Sequence, residues 1–236
     1  MIQFYCPDIE LNPVLPESDS RHCVKVLRMD AGSELEIVDG KGHRFLCRLL
    51  DAHPKRAMIE IVKKERVEKV WKGSITVAVA PTKHIDRMEW LTEKLTETGV
   101  DRIVPLLCRR SERKEIKRVR LEKIAVSAMK QSLKASLPEV AEMTPFSQAL
   151  KEAQARGDRL FFAYCDRDSM RLNLARAMHA GEDVTVFIGP EGDFSPEEVK
   201  EALDAGCVPV TLGDNRLRTE TAALTACTTF QVLQQL

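Results

Sequence analysis

Long apolar runs are absent from this chain of 236 residues. No segment reaches the roughly 18–20 apolar residues that a helix needs to cross a bilayer. The first residues, Met-Ile-Gln-Phe-Tyr-Cys-Pro, lack the basic and apolar regions of a secretion signal. The sequence therefore predicts a cytoplasmic protein without a membrane partner.

Clusters of cysteine and histidine are absent as well. The chain has seven cysteines and five histidines, and no pair of them has the spacing of metal ligands. We therefore predict reduced, mostly buried thiols, no metal and no histidine-centred catalytic triad. The cysteines are Cys6, Cys23, Cys47, Cys108, Cys165, Cys207 and Cys227.

An overall excess of positive charge is also lacking, since 36 Lys and Arg residues balance 36 Asp and Glu residues. A nucleic-acid surface would have to be local. Residues 109–134 hold ten Lys and Arg residues against three Glu, which favours a surface that follows phosphates. The alternative is a solvated helix face.

The first part of the chain has the pattern of a small β-rich unit. Short strands are predicted at residues 33–38, 44–50 and 56–62, and only residues 20–27 have a helical pattern. Asp39-Gly40 between the first two strands predicts a hairpin. We interpret residues 1–68 as a barrel-like domain, followed by a charged linker around residues 64–73.

The pattern changes from Ser74 onward to alternating strands and helices, which is typical of an α/β domain with a largely parallel sheet. This domain spans residues 74–236. The predicted strands are residues 74–80, 100–108, 160–164, 184–188 and 208–212, and the predicted helices are residues 84–98, 119–133, 172–179, 196–205 and 219–236.

A glycine-containing turn follows the strand at residues 184–188, and we call residues 189–195 the glycine loop. Gly189 and Gly192 allow the backbone to approach a ligand closely. Ser195, Pro196 and Glu198 then form the pattern of a helix N-cap with a capping box. Open α/β sheets bind ligands at this edge, although Gly-Pro-x-Gly is also the pattern of an ordinary tight turn.

A second loop, which we call the arginine loop, covers residues 212–218 and leads from a strand into the last helix. It contains Gly213 with Arg216 and Arg218, and Thr219 could cap the helix. An ordinary connection with solvated arginines is the alternative. Two such loops at one sheet edge favour a shared pocket. The chain has neither the phosphate-loop motif nor the dinucleotide fingerprint.

Together the two loops resemble the cofactor loops of the SPOUT methyltransferases, and within them the bacterial methyltransferases of uracil N3 in 16S ribosomal RNA. The chain departs from that family's pattern at Asp193, Lys130, Lys134 and Arg216. The matching motifs run along the whole chain: His22 with residues 26–28; Lys83, Glu89, Lys94, Glu97, Gly99 and Val100; Pro105, Arg110 and Ser111; Gln131, Ser132 and Pro138; and residues 189–192 and 212–222.

The resemblance implies an RNA-binding PUA-like barrel at residues 1–68 and a trefoil-knotted domain at residues 74–236 that binds S-adenosylmethionine (SAM). It also implies a homodimer that acts on ribosomal RNA or the small ribosomal subunit. The implied cofactor-binding residues are Gly189, Glu191, Gly192, Leu212, Gly213, Leu217 and Thr219, and the candidate RNA contacts are Arg21, His22, Arg28, Arg110, Arg113 and Lys117.

Methylation of uracil N3 requires the loss of a weakly acidic proton. We predict that Arg218 stabilises the charge that develops on the uracil oxygens, and that Glu220 or Glu191 acts as the base. For Glu220 the alternative is a first-turn carboxylate favoured by the helix dipole. Two other functions remain open: a SPOUT enzyme with another target, such as a transfer RNA ribose, and a non-catalytic RNA-binding factor in ribosome assembly.

Overall fold

A computed structural model describes residues 2–165 and 171–236 and divides into two units. The first comprises Met1–Lys69 with Val126–Leu137, and the second comprises Val70–Ala125 with Pro138–Leu236. The sequence places residues 126–137 in the second domain, because a helical pattern runs through them from residue 119.

The first unit has a four-stranded sheet in the order β1-β2-β3-β4. β1 runs parallel to β2, whereas β3 is antiparallel to both β2 and β4. The sheet packs over a buried core that includes Phe4, Ile37 and Phe45. The strands are β1 (Gln3–Tyr5), β2 (Glu34–Val38), β3 (His43–Asp51) and β4 (Met58–Arg66).

The outer edge of β4 shows how this sheet falls short of a closed barrel. Within the described residues no ladder joins β4 to β1. Residues 13–15 cover that edge instead: the Ile59 N–H donates to the Pro13 carbonyl, and the Leu15 N–H donates to the Ala57 carbonyl, both at 3.0 Å. Among the described residues the predicted barrel is therefore an open sheet, and an irregular segment covers the outer edge of β4.

The hairpin between β2 and β3 is confirmed. Asp39 Oδ1 accepts hydrogen bonds from the backbone N–H groups of Lys41 and His43 at 2.7 and 3.1 Å. The His43 ring lies 2.8 Å from Asp39 Oδ2. Burial alone would raise the pKa of Asp39, but these hydrogen bonds lower it overall.

The predicted helix at residues 20–27 has a different form in the structure. α1 (Glu17–Arg21) continues into a π-helical turn at His22–Val26. Arg28 follows with a positive φ of 54°. Wide turns and left-handed residues are locally unfavourable, and periodicity alone does not predict them.

Lys130 and Lys134, two of the departures from the family pattern, lie in the segment that belongs to the first unit. Lys130 Nζ is 2.6 Å from Asp19 Oδ1, and the other Asp19 oxygen accepts the Tyr5 N–H at 3.0 Å. The Lys134 carbonyl accepts a hydrogen bond from Gln3 Nε2 at 2.7 Å. These contacts hold the segment within the first unit.

The second unit is built on an eight-stranded sheet in which every strand pair is parallel, and the predicted α/β class is confirmed. The strand order is β10-β12-β9-β11-β5-β6-β7, with β8 beside β6. The strands are β5 (Ser74–Val79), β6 (Arg102–Leu107), β7 (Glu139–Val140), β8 (Thr144–Pro145), β9 (Arg159–Ala163), β10 (Leu172–Asn173), β11 (Asp183–Ile188) and β12 (Val208–Thr211).

Helices α2 and α4 to α7 belong to this unit, and α3 runs from it into the segment assigned to the first. The predicted Gly99 stop is confirmed, because Gly99 ends α2 in the left-handed region. α7 packs against α2, β5 and β11. The helices are α2 (Ile85–Thr98), α3 (Arg118–Gln131), α4 (Phe146–Arg156), α5 (Leu174–Ala177), α6 (Pro196–Asp204) and α7 (Thr219–Leu233).

Two elements differ from the sequence prediction. Residues 172–179 form the edge strand β10 and the four-residue helix α5, because the Asn173 side chain caps α5 at Ala175 and Met178 is already extended. Helix α4 was not predicted, although Phe146, Ala149, Leu150 and Ala153 are buried at helical spacing.

The cysteines follow the prediction, since all seven are free thiols and only Cys165 is exposed. Burial raises the pKa of Cys47, Cys108 and Cys207 to about 12, so these thiols stay protonated at neutral pH.

Candidate ligand pocket at the carboxyl edge of the sheet

A pocket of about 360 Å³ opens beyond the ends of β9, β11 and β12, a size typical of small-molecule sites. Both the glycine loop and the arginine loop line it. The lining residues are Arg87, Ala163, Tyr164, Cys165, Arg171, Ile188, Gly189, Pro190, Glu191, Asp193, Val210, Thr211, Leu212, Gly213, Asn215, Arg216, Leu217, Arg218, Thr219 and Ala222.

The glycine loop is anchored in the hydrophobic core at Phe194. The Phe194 ring lies 4.3 Å from the Phe162 ring and 5.3 Å from the Phe146 ring, between centroids. A Cβ atom at Gly189 would come within 2.8 Å of the Phe194 ring. Gly189 is therefore required by close packing, because any side chain would displace a buried aromatic residue.

The helix after the glycine loop begins with the predicted capping box, which is confirmed. The Ser195 hydroxyl accepts the Glu198 N–H at 3.2 Å, and Glu198 Oε2 accepts the Ser195 N–H at 2.8 Å. The other Glu198 oxygen accepts the Arg109 N–H at 2.8 Å. One buried carboxylate thus fixes both the start of α6 and the loop after β6.

Two of the arginines predicted to contact RNA, Arg110 and Arg113, donate hydrogen bonds to backbone carbonyls of this unit. Arg110 Nη1 donates to the carbonyls of Gly192 and Phe194 at 3.0 and 3.2 Å. Arg113 donates to the carbonyls of Thr82 and Lys83 at 3.1 and 2.6 Å. Both guanidinium groups therefore have a structural role that the basic pattern did not indicate.

Asp193 occupies a left-handed conformation, with a φ of 60°. Its Oδ1 accepts the Phe194 N–H at 2.8 Å, and its Oδ2 accepts the Cys165 N–H at 2.9 Å. Aspartate tolerates this region better than most residues do. The carboxylate thereby ties the glycine loop to the chain that leaves β9.

The arginine loop has far fewer contacts. Gly213 has a φ of 121°, and a Cβ atom there would meet nothing within 4 Å. The Thr211 hydroxyl donates to the Gly213 carbonyl at 2.8 Å, which is a bond within the loop region itself. Asp214, Asn215, Arg216 and Arg218 are exposed.

Four arginines reach the pocket, and they differ in their partners. Arg87 faces Glu220, and Arg171 donates to the Tyr164 carbonyl at 2.7 Å. Arg216 and Arg218 form no ion pair or side-chain hydrogen bond within residues 2–165 and 171–236. The rim formed by these two residues is suited to anionic ligand groups.

Glu220 lies in the first turn of α7, as the dipole interpretation expects. Its side chain is 9% exposed, and one of its oxygens lies 3.5 Å from Arg87 Nη1. The preceding residue, Thr219, is the first residue of α7. Its hydroxyl donates to the Gly189 carbonyl at 3.3 Å and so connects α7 to the glycine loop.

Most predicted cofactor-binding residues reach the pocket, as does Arg218. Among the described residues, Gly192 and Glu220 do not line it: the Gly192 carbonyl accepts a hydrogen bond from Arg110, and Glu220 forms an ion pair with Arg87, which does line it. The residues that line it are Gly189, Glu191, Leu212, Gly213, Leu217, Thr219 and Arg218. Sequence reasoning missed Arg87, Tyr164 and Arg171, for which no motif gave a signal.

The remaining predicted RNA contacts are surface residues of the separate units. In the first unit, Arg21 and Arg28 are exposed, whereas His22 is half-buried with its ring 6.1 Å from that of Phe4. In the second unit, Lys117 is exposed and has no ion pair among the described residues.

Two further features concern the described ranges only. Residues 2–165 and 171–236 contain no group of three or more His, Cys, Asp or Glu side chains that could hold a metal ion. No helix in these ranges has the length and apolar character to cross a membrane.

The fold and the pocket define an α/β protein with a ligand-sized pocket at the carboxyl edge of a parallel sheet, where open α/β sheets commonly bind ligands. An RNA methyltransferase domain model matches residues 69–231, and a model of the PUA domain of RNA methyltransferases matches residues 15–62. The chain belongs to the RNA methyltransferase family. The resemblance inferred from the loop motifs is confirmed.

Individual relatives agree over almost the whole chain. A probable rRNA-methyltransferase from Porphyromonas gingivalis is 44% identical, with a TM-score of 0.95 and coverage of 100% of this chain and 99% of that chain. The ribosomal RNA small subunit methyltransferase E of Neisseria gonorrhoeae, solved bound to SAM, is 29% identical, with a TM-score of 0.85 and coverage of 99% and 98%.

A curated relative, the ribosomal RNA small subunit methyltransferase E of Rickettsia conorii, is 27% identical over 217 residues. This match covers 90% of the present chain and 86% of the relative.

Proposed function

We propose that the protein is a SAM-dependent methyltransferase that methylates N3 of a uridine in 16S ribosomal RNA, with the small ribosomal subunit as its substrate. The observation that carries this proposal is a pocket that both loops line. It combines glycine-containing backbone with Arg216 and Arg218, which have no ion pair among the described residues, in a chain whose relatives carry the name of a small-subunit RNA methyltransferase.

The residues present fit SAM. The pocket volume is in the range of sites that bind a nucleoside with an amino-acid tail, and Gly189 and Gly213 are two of its lining residues. The backbone N–H groups of Glu191 and Leu217, both pocket residues, have no hydrogen-bond partner within the described residues. Such groups suit the polar edges of an adenosine.

We assign the cofactor site to Gly189, Glu191, Leu212, Gly213, Leu217 and Thr219 as lining residues. Gly192 contributes indirectly, through the hydrogen bond that its carbonyl accepts from Arg110. SAM, when bound, supplies a methyl group that is already activated by the sulfonium. The protein's own contribution is therefore mainly to orient the acceptor base and to stabilise its charge.

Arg218 is the cation that we assign to the uracil. It is exposed at the pocket, and no acidic partner neutralises it among the described residues. A guanidinium group at this point can stabilise negative charge on a uracil oxygen as the N3 proton leaves. Glu191, an exposed carboxylate of the pocket, can receive that proton directly or through water.

The RNA contacts that we propose lie on both units. Arg21, His22 and Arg28 would bind RNA in the PUA-like unit, and Lys117 with the outer surfaces of Arg110 and Arg113 would bind it in the second unit. Exposed Arg and Lys side chains position RNA through its phosphates.

A trefoil knot is the proposed path of the second unit. In the sheet, β9 lies between β11 and β12. The chain therefore passes β9 on its way from β11 to β12, and it passes β9 again on its way from β12 to α7, which packs against β5 and β11. This double crossing supports a threaded connection, which is one of the rare exceptions to unknotted folds.

We also propose a cytoplasmic homodimer. Ribosomal RNA as substrate and seven free thiols support the cytoplasm. Of the apolar residues in the last helix, Cys227 and Phe230 are buried within the chain, whereas Val232 is 51% exposed; on α2, which packs against α7, Trp90 is 43% exposed. These exposed side chains support an interface with a second copy.

The first test is calorimetric titration of the purified protein with SAM and, separately, with NAD and ATP. We expect saturable binding of SAM alone. Small ribosomal subunits that lack the modification are then incubated with methyl-labelled SAM, and the RNA is digested for nucleoside mass spectrometry. We expect N3-methyluridine.

Two results would reject the proposal. Well-folded protein that does not bind SAM would indicate a non-catalytic RNA-binding factor. A labelled ribose, or a label found only in transfer RNA, would assign the enzyme to another RNA target.

A further inference from the structure

Arg87 has no assigned role, although its position in the pocket is specific. It lies in the first turn of α2, the helix that follows β5, and it lines the pocket together with Arg218 and Thr219. Its side chain is 33% exposed, so the guanidinium is half-buried but open on the ligand side.

Glu220 is the acidic partner of this guanidinium. Its Oε1 lies 3.5 Å from Arg87 Nη1, and its Oε2 is buried without a hydrogen-bond partner among the described residues. A buried carboxylate with one unused oxygen is costly unless a cation remains beside it. Glu220 therefore favours a position of Arg87 beside it, and its unused oxygen can accept a hydrogen bond from the guanidinium.

The pair formed by Arg87 and Glu220 differs in net charge from Arg216 and Arg218. Arg216 and Arg218 have no acidic partner in the described part of the chain, so their full positive charge also attracts groups that are always anionic, such as phosphates. Arg87 and Glu220 together carry no net charge, so they attract a permanent anion only weakly. A preorganised donor of this kind suits charge that develops during a reaction.

The uracil base offers two sites for such donors. N3 lies between two carbonyl carbons, and when its proton leaves, the negative charge spreads over both carbonyl oxygens. A single guanidinium that contacts one oxygen leaves the other without stabilisation, because the two oxygens flank N3 on opposite sides.

We propose that Arg87 is a second catalytic residue, which donates a hydrogen bond to one of the two uracil oxygens while Arg218 serves the other. Glu220 is its positioning residue. The proposal rests on the proposed uracil-N3 methylation and adds to it a donor, at a residue that was not singled out from the sequence.

The N3–H bond breaks, and the proton passes to Glu191 or to solvent. The lone pair on N3 forms the bond to the methyl carbon, while the bond from that carbon to sulfur breaks and its electron pair stays on sulfur. The positive sulfonium becomes a neutral thioether, and the charge stabilised by Arg87 and Arg218 disappears with it.

The test compares Arg87→Gln, Arg87→Lys and Glu220→Gln with the unchanged chain. For Arg87→Gln we expect kcat to fall about 100-fold, as is typical for loss of one donor to a developing anion, with the Kd for SAM within about twofold. Arg87→Lys should keep part of the rate because it keeps the charge. Arg176→Gln, an exposed arginine of the same unit outside the pocket, is the control and should have wild-type kinetics.

The pH profile separates this role from a structural one. A positive donor lowers the apparent pKa at which uracil N3 loses its proton, so Arg87→Gln should shift the rate profile towards alkaline pH and recover part of its rate there. RNA made with 5-fluorouridine has a more acidic N3–H. With that acceptor the defect of Arg87→Gln should shrink, whereas a misfolded variant would stay equally impaired.

A double-mutant cycle tests the positioning role of Glu220. If Glu220 acts only through Arg87, the double variant should be no slower than Arg87→Gln alone. A double variant whose defect is the product of the two single defects would reject the positioning role and favour Glu220 as an independent base.

Other outcomes would overturn the assignment of Arg87. An unchanged pH profile together with weaker SAM binding would assign Arg87 to the carboxylate of SAM, and unchanged kcat would remove it from the reaction. Nucleoside mass spectrometry of the unchanged enzyme is run alongside. The absence of N3-methyluridine there would reject the proposed function itself, whereas its presence with an unaffected Arg87→Gln would reject only this inference.

Discussion

The glycine loop and the arginine loop meet at one pocket but are held in opposite ways. The glycine loop is fixed by Phe194 in the core, by hydrogen bonds from Arg110 and by the Asp193 carboxylate. The arginine loop has an exposed tip, and a Cβ atom at Gly213 would have no neighbouring atom within 4 Å among the described residues.

The difference indicates a division of labour. A loop anchored at many points keeps the same shape with and without its ligand, which suits recognition of an invariant cofactor. A loop with few contacts can adjust its side chains to a large substrate. Under the proposed function, the glycine loop would bind the cofactor and the cations of the arginine loop would contact RNA, and four predictions test this comparison.

The largest effect is expected for Arg218→Gln in the arginine loop. Loss of a donor to a developing anion should lower kcat by about 100- to 1,000-fold. Stability should change by less than about 0.5 kcal/mol, because the exposed side chain has no partner among the described residues. Steady-state kinetics and thermal unfolding measure both, and a lower Tm with normal kcat would contradict the assignment.

The second-largest effect is expected for Gly189→Ala in the glycine loop. The new Cβ atom would lie 2.8 Å from the Phe194 ring, and moving that packed ring costs about 1–3 kcal/mol. SAM affinity, measured by calorimetry, should fall roughly tenfold or more. Gly192→Ala provides the comparison, since its Cβ atom would meet the Arg110 side chain only at 3.6 Å and should cost less. Equal losses in both variants would show that the loop is not held by Phe194.

Asp193→Gly should have a moderate effect. Glycine accepts the φ of 60°, but it removes the bonds to the N–H groups of Phe194 and Cys165. Each such bond contributes about 1 kcal/mol, so SAM should bind several-fold more weakly. Asp193→Asn keeps one acceptor oxygen, so its SAM affinity should lie between that of the unchanged chain and that of Asp193→Gly. If Asp193→Gly binds SAM normally, the tie to Cys165 does not position the pocket.

The smallest effect is expected for Asp214→Ala at the tip of the arginine loop. Asp214 is exposed and does not line the pocket. Its replacement should change the free energy of unfolding by less than about 0.5 kcal/mol and SAM affinity by less than about twofold. A larger loss in urea unfolding or calorimetry would mean that the arginine loop is as strongly held as the glycine loop.

The elements with a clear local signal could be predicted from the sequence. The hairpin at Asp39, the stop at Gly99 and the capping box at Ser195 and Glu198 each depend on residues close together in the chain. The glycine loop and the arginine loop were found for the same reason. Short edge strands such as β7 and β10 gave no such signal, because only their partners in the sheet stabilise them.

The basic segment at residues 109–134 shows the limit of counting charges. Composition indicated a surface that binds RNA, yet Arg110, Arg113 and Lys130 each contact groups far away in the chain. Those partners are carbonyls and a carboxylate that the fold brings close. A charge count contains no information about them.

The sequence by itself determined the α/β class, the β-rich first part, the family and the two loops, because each of these follows from local patterns of polarity, glycine and capping residues. Only the tertiary structure decided that Arg87 and Glu220 stand together at the pocket, that Gly192 lies outside it, and that residues 126–137 belong to the first unit. These outcomes depend on contacts between residues distant in the chain, where burial and charge are set by the packing of the whole fold.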